Sequence, residues 1–173
     1  MSSSSLFAIY KRIKEMAAQI GYFNTGLLIL HRVSVKLFGG KLRIYKYYFT
    51  AQPVFDHALL APNRGKKIVV RQISRDDPII KHFPRPDSVI QNRFDTRAVC
   101  LVAFKESNFV GYLWLILGAY QEDEVRGKFI PLPSFVTAWD FDVYVHPDYR
   151  LGHAFLRLWD EANQALSPDP RLF

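Results

Sequence analysis

The chain has 173 residues, 49% of them hydrophobic and 15% aromatic, which is enough to bury one domain core and too apolar for a disordered chain. Its one cysteine, Cys100, excludes an intramolecular disulfide and fits a reducing compartment. No stretch reads as a membrane span or a signal peptide, so a cytoplasmic location is expected. The net charge of +7 is uneven: residues 1–66 carry ten Lys/Arg against two Asp/Glu, and residues 67–173 carry thirteen against fourteen.

Ser2 to Ser5 offer N-caps for a helix from Leu6 to Ile20, in which Leu6, Ile9, Ile13, Ala17 and Ile20 form an apolar stripe and Lys11, Arg12, Lys14 and Glu15 lie off it. A second helix is predicted from Thr25 to Leu37, stopped by Gly39-Gly40, with Arg32 and Lys36 one turn apart. Basic amphipathic helices of this kind either pack on their own domain or meet an acidic partner. Through residues 1–46 that partner would be an anionic membrane surface, with a peripheral location, or an acidic carrier protein. Lys41 to Phe49 mixes basic and aromatic residues and reads as an edge strand; stacking on single-stranded nucleic acid fits it less well. Gln52 to Lys66 is a connecting loop, so residues 1–66 form a basic helical extension with a strand and a loop.

The near-neutral body, residues 67–173, begins with a strand at 67–73. A helix start follows at Pro78, capped by Ser74 or Asp76, and the region to Arg97 is broken by Pro84 and Pro86. Ala98–Phe104 and Phe109–Tyr120 form a hairpin around Lys105–Asn108, with Cys100 as a buried, inert thiol. A polar loop with Glu122, Asp123 and Glu124 leads to the strand Ala138–Val145, then a turn, then a helix from Phe155 to Leu166. Asp140 and Asp142 alternate with Trp139, Phe141 and Val143, which puts both carboxylates on one strand face. Two acids on one face raise one pKa, as a general base needs; the same pattern also describes a plain solvent face. Asp142 is the favoured base, being nearer the turn.

That turn is Val145-His146-Pro147-Asp148-Tyr149-Arg150-Leu151-Gly152-His153-Ala154. A strand ending in a Gly-containing turn that opens a helix offers unpaired N–H groups to phosphate. The pattern resembles the acyl-CoA signature of the GNAT (Gcn5-related) N-acetyltransferase superfamily. In that family a strand ending Val-x-Pro-x-Tyr-Arg precedes a loop of the form Arg/Gln-x-x-Gly-x-Gly/Ala. Here one residue, Leu151, stands between Arg150 and Gly152 where the family has two, so a tighter loop is expected.

The resemblance spans residues 67–166 and implies an α/β (α+β) fold with a mixed, mostly antiparallel sheet. It implies transfer of an acetyl or longer acyl group from acetyl-CoA or another acyl-CoA to an amine. Arg150, Leu151, Gly152, His153, Ala154 and Phe155 would hold the pyrophosphate. A backbone N–H near Tyr144 and Val145 would polarise the thioester, Tyr144 and Tyr149 would line the channel, and Asp142 or Asp140 would take the amine proton. No metal is implied, and His146, Asp148 and His153 lack the spacing of a zinc motif. The family continues past this helix with a strand, a helix and a hairpin that residues 167–173 do not contain. An open sheet edge, self-association and weak activity are therefore expected. The alternative is an inactive GNAT-like binding protein whose basic N-terminal region holds an acidic partner or membrane surface.

Overall fold

The computed structural model describes residues 3–122, 125, 127–133 and 136–166, with side chains from residue 7 onward. It divides into two compact units, residues 1–52 and 53–173. The loop 53–66 thus goes with the second unit.

In the first unit, α1 (Ser3–Ile20) and α2 (Tyr22–Leu37) pack on each other. Gly21 separates them with φ at 82°, a backbone state that favours glycine. Its carbonyl accepts hydrogen bonds from the Thr25 N–H and Oγ1, so α2 starts three residues earlier than predicted. Among the described residues of this unit Ala17, Thr25 and Ser34 are buried, and none of them is large. Of the α1 stripe, Ala17 is buried and Ile9, Ile13 and Ile20 are exposed.

The strand expected at Lys41–Phe49 does not form. Tyr45, Tyr47 and Phe49 stack their rings at 6.2 and 6.3 Å, close to the i to i+2 repeat of extended backbone. The β-prone residues extend the chain, but no neighbouring strand completes a ladder. The Ile44 backbone turns instead to α2, with its N–H 3.2 Å and its carbonyl oxygen 2.8 Å from His31 Nδ1.

The second unit is a mixed α+β arrangement around a four-stranded antiparallel sheet. The strands are β1 (Ile68–Ile73), β2 (Val99–Lys105), β3 (Asn108–Leu117) and β6 (Ala138–Val145), in the order β1-β2-β3-β6. Two short strands, β4 (Tyr120–Gln121) and β5 (Lys128–Phe129), pair within the stretch predicted as polar loop. The two sheet faces bury separate cores. On one, Val70, Leu101, Leu113 and Leu115 meet Ala154, Leu158 and Ala162 of α4 (Ala154–Ala165). On the other, Cys100, Val102, Tyr112 and Trp114 meet Ile80 and Phe83 of a 3₁₀ turn (Pro78–His82) and Ile90 of α3 (Asp87–Asp95). The cap of that 3₁₀ turn is Asp77, whose carboxylate accepts from the Ile79 N–H; it is neither Ser74 nor Asp76. Cys100 is fully buried, and burial pushes its thiol well above its ordinary pKa.

The loop 53–66 is tied to α4. The Leu59 N–H donates to Asp160 Oδ1 at 2.5 Å, Leu60 is buried, and Arg157 donates to the Ile68 carbonyl. No described helix is long and apolar enough to cross a membrane.

Candidate functional site

The end of β6 and the start of α4 form one continuous turn. The His146 N–H donates to the Val110 carbonyl at 2.8 Å and closes the β3–β6 ladder. A 3₁₀ turn, Pro147–Tyr149, follows. Tyr149, Arg150 and Gly152 then spend their N–H groups inside the turn, on His146, Pro147 and Tyr149. The first helical hydrogen bond of α4 runs from the Arg157 N–H to the His153 carbonyl. The N–H groups of Ala154, Phe155 and Leu156 come before it, so no helical carbonyl reaches them. His153, the N-cap, makes no side-chain capping bond, and the first helical turn holds no acidic residue. This end of α4 therefore carries partial positive charge.

Arg150 adds a full charge. Its Nε donates to the Val145 carbonyl at 3.1 Å, which folds the guanidinium back over the end of β6. Consecutive strand residues turn their N–H groups to opposite edges. Because His146 points its N–H at β3, Val145 points its own at the outer edge, beside Arg150. Leu151 is fully exposed at the tip of the turn, Phe155 is half exposed, and Ala154 is fully buried.

The two candidate acids do not share a face. Across the β3–β6 ladder, Trp114 pairs with Asp142 but Leu115 pairs with Asp140, so Phe141 is an extra, bulged residue. Paired residues lie on one face, so Asp140 falls on the α4 side with Leu115 and Asp142 on the opposite side with Trp114. The bulge cancels the alternation read from sequence, and the two carboxylates cannot raise each other's pKa across a shared face.

Their environments diverge accordingly. Asp142 is almost fully buried. Arg85 Nε and Nη2 donate to its two oxygens at 2.9 and 3.1 Å, Arg93 Nη1 donates to Oδ2 at 2.7 Å, and the Tyr112 hydroxyl donates at 3.2 Å. Burial pushes the carboxyl up, but the two guanidiniums outweigh it and hold it below the usual carboxylate range. Tyr112 is held above its ordinary value by burial and by the Asp142 charge. Arg93 also lies over the rings of Trp114 and Phe141 at 5.4 and 5.1 Å. Asp140 lies on the α4 side and reaches solvent, and the partial desolvation of its carboxyl raises its pKa. An ionised, fully bonded carboxylate is a poor proton acceptor, and a solvent-reaching one with a raised pKa is a better one. The geometry thus gives Asp142 two guanidinium partners and leaves Asp140 on the opposite face, reaching solvent.

Tyr144 joins an aromatic ladder with Phe109 at 6.1 Å and Tyr112 at 5.5 Å. Tyr149 packs against the α4-side core. His146 lies 3.6 Å from Asp148, and no group of three metal-ligating side chains forms among the described residues. A shallow, open depression lined by Gln72–Arg75, Phe94 and Ala98 lies at the β1 end of the sheet, away from the turn. The structure adds Arg85, Arg93, Tyr112 and the Leu156 N–H to the candidates. The two arginines lie 57 and 49 residues before Asp142, and no spacing signal links them to it. The Leu156 N–H was legible, since every helix leaves its first N–H groups unbonded.

No protein-family model matches the chain, and neither do any curated proteins or solved structures.

Proposed function

We propose that the second unit is an acyltransferase of the GNAT type, moving an acetyl or longer acyl group from an acyl-CoA thioester to an amine. The observation that carries this reading is the junction of β6 and α4. There a guanidinium, an outward strand N–H and the unbonded N–H groups of Phe155 and Leu156 meet on a turn whose sequence resembles the CoA signature. The order of elements supports it too: a strand, a helical segment, an antiparallel hairpin, the motif strand and its helix.

In this reading the N–H groups of Phe155 and Leu156, with Arg150, hold the pyrophosphate. The pantetheine arm runs back along the outer edge of β6 toward the bulge, about 17 Å from Val145 to Asp140 at 3.3–3.4 Å per residue. The Val145 N–H faces the same edge and donates to a carbonyl of that arm, which leaves the thioester at the far end, beside Asp140. The amine attacks the thioester carbon, a C–N bond forms, and the C–S bond breaks to release the CoA thiolate. Asp140 accepts the amine proton, and water protonates the thiolate. Asp142, locked to Arg85 and Arg93, fixes the strand beyond the bulge.

Acetyl-CoA is expected to raise the melting temperature of the full chain, by mass action on the folded state. Arg150→Glu, at an exposed position, should abolish the rise while leaving the unliganded melt unchanged. A folded sample that shows no shift with millimolar acetyl-CoA overturns the assignment.

A further inference from the structure

Among the described residues, the first unit buries no large apolar side chain; its helices bury Ala17, Thr25 and Ser34, while large side chains face solvent along both. On α1 these are Phe7, Ile9, Tyr10, Ile13 and Ile20. On α2 they are Tyr22, Phe23, Leu30, Val33 and Leu37, which fall within about 100° of one another at 100° per residue. Arg32 and Lys36 flank that stripe. Beyond α2, Lys46 lies over the rings of Phe23 and Tyr48 at 5.0 and 4.6 Å.

Charge singles out the same unit. Residues 1–52 hold eight Lys/Arg and one Asp/Glu, and residues 53–173 hold fifteen of each. The whole net charge of +7 therefore belongs to the unit that exposes its apolar side chains.

We propose that the first unit is an interfacial anchor for an anionic lipid bilayer. The exposed stripes of α1 and α2 enter the headgroup–acyl boundary, the tyrosines sit at headgroup level, and the basic residues face the lipid charges. The combination of features selects this partner. Nucleic acid would use the charge and some rings but would leave the isoleucine, leucine and valine side chains wet. A second copy of the chain would cover the aliphatic residues but bring two strongly positive units together. An anionic bilayer satisfies both features, and helices too short or too polar to span can lie in its surface.

The test is sedimentation of the full chain with vesicles of phosphatidylcholine alone or mixed with phosphatidylserine. Binding is expected only to the anionic vesicles, falling as salt rises. Lys11→Glu with Lys14→Glu should weaken it about tenfold or more. Leu30→Asp with Val33→Asp, at exposed positions, should weaken it similarly while the circular dichroism spectrum stays unchanged. If the aspartate pair binds like the parent, the apolar stripes do not insert and the proposal fails. It fails equally if anionic vesicles capture nothing while light scattering reports a dimer, or while a single-stranded oligonucleotide binds tightly.

Discussion

Asp142 shows how one side chain changes meaning with its surroundings. Its sequence neighbours mark it as an exposed acid beside a turn. In the fold it is nearly buried with Arg93 and Tyr112, and the half-exposed Arg85 closes over it. Because its folded pKa lies below the ordinary value, its stabilisation is complete above the unfolded carboxylate pKa of about 4 and is lost as pH falls through the folded value. Asp142→Asn should cost about 3–5 kcal/mol at neutral pH, the usual loss on breaking a buried ion pair. It should also flatten the acid limb of the stability curve, measured by urea unfolding between pH 2 and about 7. A variant that keeps the parent's acid limb would show that Asp142 is not the group titrating there. The two partners were hidden from sequence because an ion pair between distant residues has no period or motif.

At the scale of elements, the pairing of β3 with β6 decides the site. Gly111 lies opposite Val145, and a Cβ there would collide with the Tyr144 carbonyl oxygen. The strands approach too closely at that point for any side chain. Gly111→Ala should therefore destabilise the second unit by about 1–3 kcal/mol, the range for overpacking, and lower its melting temperature. Because the displaced backbone is Tyr144–Val145, acetyl-CoA binding should weaken in the same variant; an unchanged melt would mean that the strands are not this close. The span of β6 was legible to the residue, since alternation and β-propensity are local. Its bulge was not, because it depends on register with β3. The failed strand at Lys41–Phe49 has the same origin. Propensity set an extended backbone, and only a partner makes a strand.

At the scale of the molecule, the chain forms two compact units, residues 1–52 and 53–173, whereas the charge balance read from sequence was divided at residue 66. Charge counts place a boundary only loosely, whereas packing places it where contacts end. The loop 53–66 carries Leu59 and Leu60, which bond to and pack on the body. A fragment of residues 53–173 should thus melt as the second unit does in the full chain. A fragment of residues 67–173 should be less stable by about 1–3 kcal/mol, because Asp160, only 2% exposed, loses the Leu59 N–H. Equal melting of the two fragments would return the boundary to residue 66.

Sequence by itself determined what is local and periodic: α1, α2, the β2–β3 hairpin, the span of β6, the helix that follows it, and the charge asymmetry. It also located the turn at Arg150–Phe155, because strand, turn and helix signals sit side by side in the chain. Only the tertiary structure decided which face each acid of β6 occupies, which arginines hold Asp142, and that Ile9, Ile13 and Ile20 of the α1 stripe face solvent. Those outcomes depend on which surfaces meet. A single strand or helix records its own period, but neither its register against a neighbour nor whether a neighbour covers it.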